Sequence, residues 1–303
     1  MTRYCAPIAL FVYNRPAHTR LTVEALRRNL LSGESDLIIF SDAPKKLEAA
    51  ASVSEVRDYI RAIDGFKSVR IIERQTNFGL AKSIVEGVGQ VCEAQGRAIV
   101  LEDDLETSPY FLTFMNDGLD RYAEVPEVAA VSGFHLPADT ALPETFFQCD
   151  AECWGWATWR RAWALYNPDG RALLSELKQR NMLRMFDQEG AYPYVRMLQD
   201  QIAGKNSSWA VRWRASVILK DMLSLYPGRT LVRNIGFDGS GTHCVISDLW
   251  NREVSATPIN VTDVPLVHSR EAYWAFVRFN RLQIPKFRDK VLGKLKSITR
   301  RFA

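Results

Sequence analysis

The chain has 303 residues, 47% of them hydrophobic and 24% charged; this composition supports a sizeable core and excludes a disordered or fibrous protein. Its net charge of +4 is unevenly spread: residues 286–303 carry seven Lys and Arg against Asp289 alone, while the other 285 residues hold 32 basic and 34 acidic side chains. The body therefore lacks the basic face of a nucleic-acid binder, and no nucleic-acid partner is expected.

The apolar stretch Cys5–Tyr13 has no small-residue cleavage site after it and reads as a first strand rather than a signal peptide. From there strands and helices alternate. Ile8–Tyr13 is followed by the loop Asn14-Arg15-Pro16 and by helical spacing over Thr19–Leu31. Leu37–Phe40 is a second strand stopped by Ser41-Asp42-Ala43-Pro44, with a helix over Val53–Ile63 behind it. Val69–Ile72 is a third strand, Leu80–Ala94 a helix, and Ala98–Leu101 a fourth strand ending at Glu102-Asp103-Asp104. Unbroken apolar strands separated by helices predict an α/β fold with a mostly parallel central sheet flanked by helices. Beyond these, Val128–Val131 reads as a strand and Met182–Ala203 as helical pieces. Seven of the eight tryptophans fall between Trp154 and Trp250, which predicts an aromatic-rich subdomain over one end of the sheet. No apolar run approaches the roughly 20 residues that cross a bilayer. Five scattered cysteines (5, 92, 149, 153 and 244) fit neither a disulfide framework nor a zinc ribbon, so a reducing, cytoplasmic setting is expected.

In sheets of this kind ligands bind beyond the carboxyl ends of the strands, and that rule selects the loop residues above. Three carboxylates directly after an apolar strand suit a hard divalent cation, Mn2+ or Mg2+, that meets a diphosphate; such ions need only one or two protein carboxylates beside phosphate oxygens. A solvated acidic turn is the alternative. Asn77 and Gly79 open a helix whose free N–H groups suit a phosphate or a cap.

In their order along the chain, Asn14-Arg15-Pro16, Ser41-Asp42, Asn77-Phe78-Gly79-Leu80-Ala81 and Glu102-Asp103-Asp104 resemble the GT-A fold glycosyltransferases, bacterial family 2-like sugar transferases and, through Glu-Asp-Asp, N-acetylglucosaminyltransferase I. The likeness covers roughly residues 5–245. It implies a UDP-sugar donor, UDP-GlcNAc among them, held with Mn2+ or Mg2+. Asp104 would be the direct metal ligand, Glu102 and Asp103 would touch the donor sugar and ribose, and Asn14, Arg15 and Asp42 would lie near the nucleotide. Residues 1–127 would form the nucleotide-sugar half, 128–260 the acceptor half and 261–303 a C-terminal extension.

Downstream, Trp154–Trp159 offers flat faces for sugar stacking, with Trp156 as a donor contact, although tryptophan is equally core material. Asp200 falls where similar inverting enzymes carry a general base, with Asp187 and Asp238 next in line; a helix-surface acid is the bland reading. Similar transferases often place a late histidine on the metal or diphosphate, and the resemblance implies that role for His243, at the end of the glycine-rich run Gly236–His243. Phe287, Val291, Leu295, Ile298 and Phe302, interleaved with basic residues, read as an amphipathic helix for an anionic membrane surface or as a solvated terminal helix. The expected activity is metal-dependent transfer of a sugar to a glycan or glycolipid at the inner face of the cell membrane. A sugar-1-phosphate nucleotidyltransferase and a non-catalytic sugar-binding module are the alternatives.

Overall fold

The computed structural model describes residues 4–239 and 252–282. In chain order the elements are β1 (Ile8–Val12), α1 (Pro16–Arg27), β2 (Asp36–Ser41), α2 (Ala50–Arg61), β3 (Ser68–Glu73), α3 (Leu80–Gln95), β4 (Arg97–Glu102), β5 (Leu105–Thr107) and α4 (Phe111–Arg121). There follow β6 (Val128–Ser132), β7 (Thr145–Gln148), β8 (Trp156–Trp159), α5 (Arg160–Trp163), α6 (Gly170–Gln179), α7 (Leu183–Phe186), α8 (Tyr194–Ile202), α9 (Ala210–Leu219), β9 (Leu223–Pro227), β10 (Val232–Asn234) and α10 (Arg270–Leu282). The basic segment 286–303 and His243 lie outside the described residues. Among the described residues no helix is long and apolar enough to cross a membrane.

Eight strands form one sheet in the order β3-β2-β1-β4-β8-β6-β9-β7, with β5 and β10 pairing separately. β3, β2, β1 and β4 run parallel, as does the β6–β9 pair, while β8 and β7 are antiparallel to their neighbours. The sheet is mixed and mostly parallel, with helices on both faces. Strand β1 shows why its sequence is apolar throughout. Ile8, Leu10 and Val12 enter one core with Leu26 of α1, Ile60 of α2 and Phe114 of α4, whereas Ala9 and Phe11 enter another with Ile84 and Val88 of α3. A third apolar cluster joins α6, α7, α8 and α9 through Leu173, Leu177, Phe186, Leu198 and Ile218.

The tryptophan motif departs from expectation. β8 is not part of a lid over the sheet's end; it is an internal strand between β4 and β6. Trp156 is 1% exposed and packs against Trp163, Trp209 and Trp213, with ring centroids 5.5–5.9 Å away. These rings cover a face of the sheet. Burial inside the core leaves Trp156 no face for a sugar, which corrects the expected donor contact.

Candidate active site

The strand order reverses between β1 and β4. The chain leaves β1 toward β2 and β3 on one side and returns to β4 on the other, so a crevice opens at the carboxyl ends of β1 and β4. Tyr13, Asn14 and Arg15 follow β1 there, and Glu102, Asp103 and Asp104 close β4. The two segments bond directly: the Tyr13 N–H donates to Asp103 Oδ2 at 3.3 Å, and Arg15 Nη2 donates to Asp103 Oδ1 and, at 3.0 Å, to Asp104 Oδ2.

Asp103 and Asp104 form the two-residue turn between β4 and β5, and both backbone carbonyls are pinned. Thr22 Oγ1 on α1 donates to the Asp103 carbonyl at 2.9 Å, and the Ile235 N–H donates to the Asp104 carbonyl at 2.8 Å. The second bond follows from the β5–β10 pairing, which lays Asn234 opposite Leu105. Gly236 then passes so close that a Cβ there would collide with Asp104 Oδ2 and sit 3.1 Å from Arg15 Nη1, so only glycine fits.

Three acids share one guanidinium. Burial, then Asp104 and Asp103, push the Glu102 carboxyl up to about 8; burial also raises Asp103 against the pull of Arg15. Burial works against the Arg15 cation, but the charges of Asp103 and Asp104 outweigh it and hold its pKa above the ordinary value. This imbalance of negative charge on oxygen donors suits a hard cation. Among the described residues no group of three or more Asp, Glu, His or Cys is disposed as a complete ligand set, so any cation here would take its remaining ligands from water or phosphate.

Asp42, Asn77 and Gly79 have a different task from the one expected. The Asp42 carboxylate, 5% exposed, accepts from the N–H groups of Ala43, Phe78 and Gly79 at 2.8–2.9 Å and from Asn77 Nδ2 at 3.0 Å. Four donors use all of a carboxylate's lone-pair sites, so none is left for a nucleotide. Asn77 Nδ2 also donates to the Ala43 carbonyl, and Gly79 caps α3 at φ +71°, a conformation that favours glycine. The three residues brace the end of β2 against the start of α3. Next to this brace lies a cavity of about 290 Å³ lined by Tyr13, Asn14, Lys45, Lys46, Glu48, Ala49 and Ser52. Lys45 and Lys46 escaped the sequence reading, although their place just beyond β2 marks them by the same strand-end rule.

Asp200 lies on α8, where Arg196 at 3.0 Å and Lys205 at 3.5 Å pair with its carboxylate. The Arg196 hydrogen bond holds it below the usual carboxylate range, which makes it a poor proton acceptor. No described hydrogen bond or ion pair links it to the acidic turn. Asp187 accepts from the Val195 N–H, and Asp238 pairs with His18 Nε2 at 3.2 Å.

The carboxylate that sequence reasoning missed is Glu152, between β7 and β8. Burial and then Asp150 push it up to about 8. Its neighbour Cys153 is raised by burial and then by the charges of Glu102, Glu152 and Asp104. Behind Glu152, Asp150 accepts from Arg214 in an ion pair with both side chains under 10% exposed, and the Arg214 guanidinium lies 3.9 Å over the Tyr194 ring. Trp154, half-buried against Phe134 and Phe237 at 4.6 and 5.5 Å, is the ring of the motif that stays partly open.

No protein-family model and no curated relative matches the chain. Solved structures overlap distantly. A mannosyltransferase from Pyrobaculum calidifontis in complex with GDP-Man and Mn2+ shares 14% identity over 57% of this chain and 47% of its own, at a TM-score of 0.37. TarS from S. aureus in complex with UDP shares 12% over 46% and 40%, at 0.32. A UDP-glucose pyrophosphorylase complexed with UDP-glucose shares 10% over 73% and 90%, at 0.35. The chain thus spans less than half the length of the first two. At this distance no residue role passes from them to this chain.

Proposed function

We propose that the chain is a GT-A type glycosyltransferase that uses a UDP-sugar, UDP-GlcNAc among the candidates, with Mn2+ or Mg2+. The observation that carries this reading is the buried acidic turn at the carboxyl end of β4, joined to the end of β1 where the strand order reverses. Asp104, with Asp103 beside it, would hold the cation, and Glu102 would face the donor sugar. Asn14, Lys45 and Lys46 would line the nucleotide's seat. When bound, the cation offsets charge on the departing diphosphate. The acceptor is a glycan or lipid-linked sugar of a surface polysaccharide, reached from the cytoplasmic side of the membrane, with the basic segment 286–303 on anionic lipid and Trp154 as a sugar platform.

Calorimetric titration with UDP and then GDP, with and without Mn2+, tests the reading: UDP binding that needs the metal is expected. UTP formed from a UDP-sugar and pyrophosphate would instead indicate a sugar-1-phosphate nucleotidyltransferase, and no nucleotide binding at all would indicate a sugar-binding module.

In this reading Glu152, rather than Asp200, takes the acceptor's proton as the sugar transfers with inversion. No described side chain hydrogen-bonds its carboxylate, and the thiol of the next residue, Cys153, feels the charges of both Glu152 and the acidic turn. A carboxyl raised to about 8 must lose its proton before it can accept one, so turnover should rise with pH through that region. Glu152→Gln is expected to lower kcat by about 100- to 10,000-fold at unchanged UDP affinity, while Asp200→Asn stays near the parent. Equal turnover in both variants would exclude this role for Glu152.

A further inference from the structure

Arg15 bridges Asp103 and Asp104 and places one positive charge between them. One guanidinium nitrogen serves an oxygen of each carboxylate, and the side chain is itself largely buried. The backbone that carries it is fixed: Pro16 opens α1, and the Arg15 carbonyl accepts both the N–H and the hydroxyl of Thr19 at 2.9 Å. The mobile part is therefore the side chain alone. Gly236 closes another side of Asp104 Oδ2 and also packs beside Arg15 Nη1. A divalent ion that binds Asp104 Oδ2 therefore competes with the guanidinium for the same oxygen.

On the donor-site reading above, we propose that Arg15 is an exchangeable counter-ion: it occupies the bridge between Asp103 and Asp104 in the empty protein and is displaced when nucleoside diphosphate and divalent cation arrive together. Exchange replaces one positive charge with two beside three acids. The freed guanidinium, anchored at the end of β1, becomes a forked donor for a phosphate oxygen at the same crevice. Cation binding alone must displace Arg15 without that new partner. Cation and nucleotide are consequently coupled, and the coupling is reciprocal.

The test is Mn2+ binding followed by the loss of the free-ion electron paramagnetic resonance signal, with and without UDP. Wild type is expected to bind Mn2+ weakly alone and tightly with UDP. Arg15→Met should bind Mn2+ alone at least tenfold more tightly than wild type, and adding Asp104→Asn should abolish that gain. Arg15→Lys, a point charge that bridges two carboxylates poorly, should fall between, and it serves if Arg15→Met does not fold. Arg20→Met removes an equal charge from the exposed face of α1 and should leave Mn2+ affinity unchanged. Arg15 variants that bind Mn2+ no better than wild type, while wild type still takes up Mn2+ with UDP, would overturn the exchange alone. If no protein takes up Mn2+ even with UDP, the donor-site reading fails as well.

Discussion

Asp104→Asn is expected to weaken Mn2+-dependent UDP binding by about 100-fold, equivalent to about 2.7 kcal/mol. The substitution keeps the shape of the side chain and the carbonyl that accepts from Ile235, so the turn between β4 and β5 is retained. It removes the negative charge on the oxygen that Arg15 holds at 3.0 Å. A neutral amide is a weak ligand for a hard cation, and the nucleotide then meets Asp103 and Glu102 with less positive charge between them. Calorimetry on the variant, with a circular-dichroism melt to verify its fold, makes the comparison. UDP affinity equal to the parent's would show that the acidic turn does not hold the donor's cation.

Arg214→Met should destabilise the protein by about 3–5 kcal/mol, because breaking a buried ion pair from one side strands the remaining charge. For a chain of this size that corresponds to a melting point lowered by roughly 10 °C. Arg214 stands on α9 and is 3% exposed; it pairs with Asp150 and offsets the charge of Glu152, and so ties the β7–β8 connection to the layer of α6 to α9. Adding Asp150→Leu removes the stranded charge and should recover part of the loss. Differential scanning calorimetry of the single and double variants checks both, and a single variant that melts within about 2 °C of the parent would refute the argument.

The first four strands and the acidic turn were legible because each is local. Strands covered on both faces carry unbroken apolar runs, as Ile8–Val12 and Ala98–Leu101 show, and the end of such a strand announces a ligand crevice. Partnerships were not legible. Arg15 meets Asp103 across 88 residues, and nothing near either position signals the pair. Asp42 has the composition of a ligand-binding loop residue, yet its oxygens are consumed by the turn at Asn77–Gly79, which arrives from behind β3. The burial of Trp156 is not legible in its motif, because the rings that cover it come from positions 163, 209 and 213, on α5, just before α9 and on α9. Glu152 carries no motif, and its raised carboxyl comes from burial that the folded chain creates.

The pairing of β10 with β5 sets a time as well as a place. While the chain is being made, β1 to β4 can assemble once β4 has emerged, but the acidic turn still lacks its contact with Ile235 and the close wall at Gly236. Those arrive about 130 residues later. Contacts of such long sequence separation form late and slowly, so a nascent or prematurely terminated chain shorter than Val232 carries the acids without their enclosure. The crevice is completed only once β10 and Gly236 have joined β5 and the acidic turn.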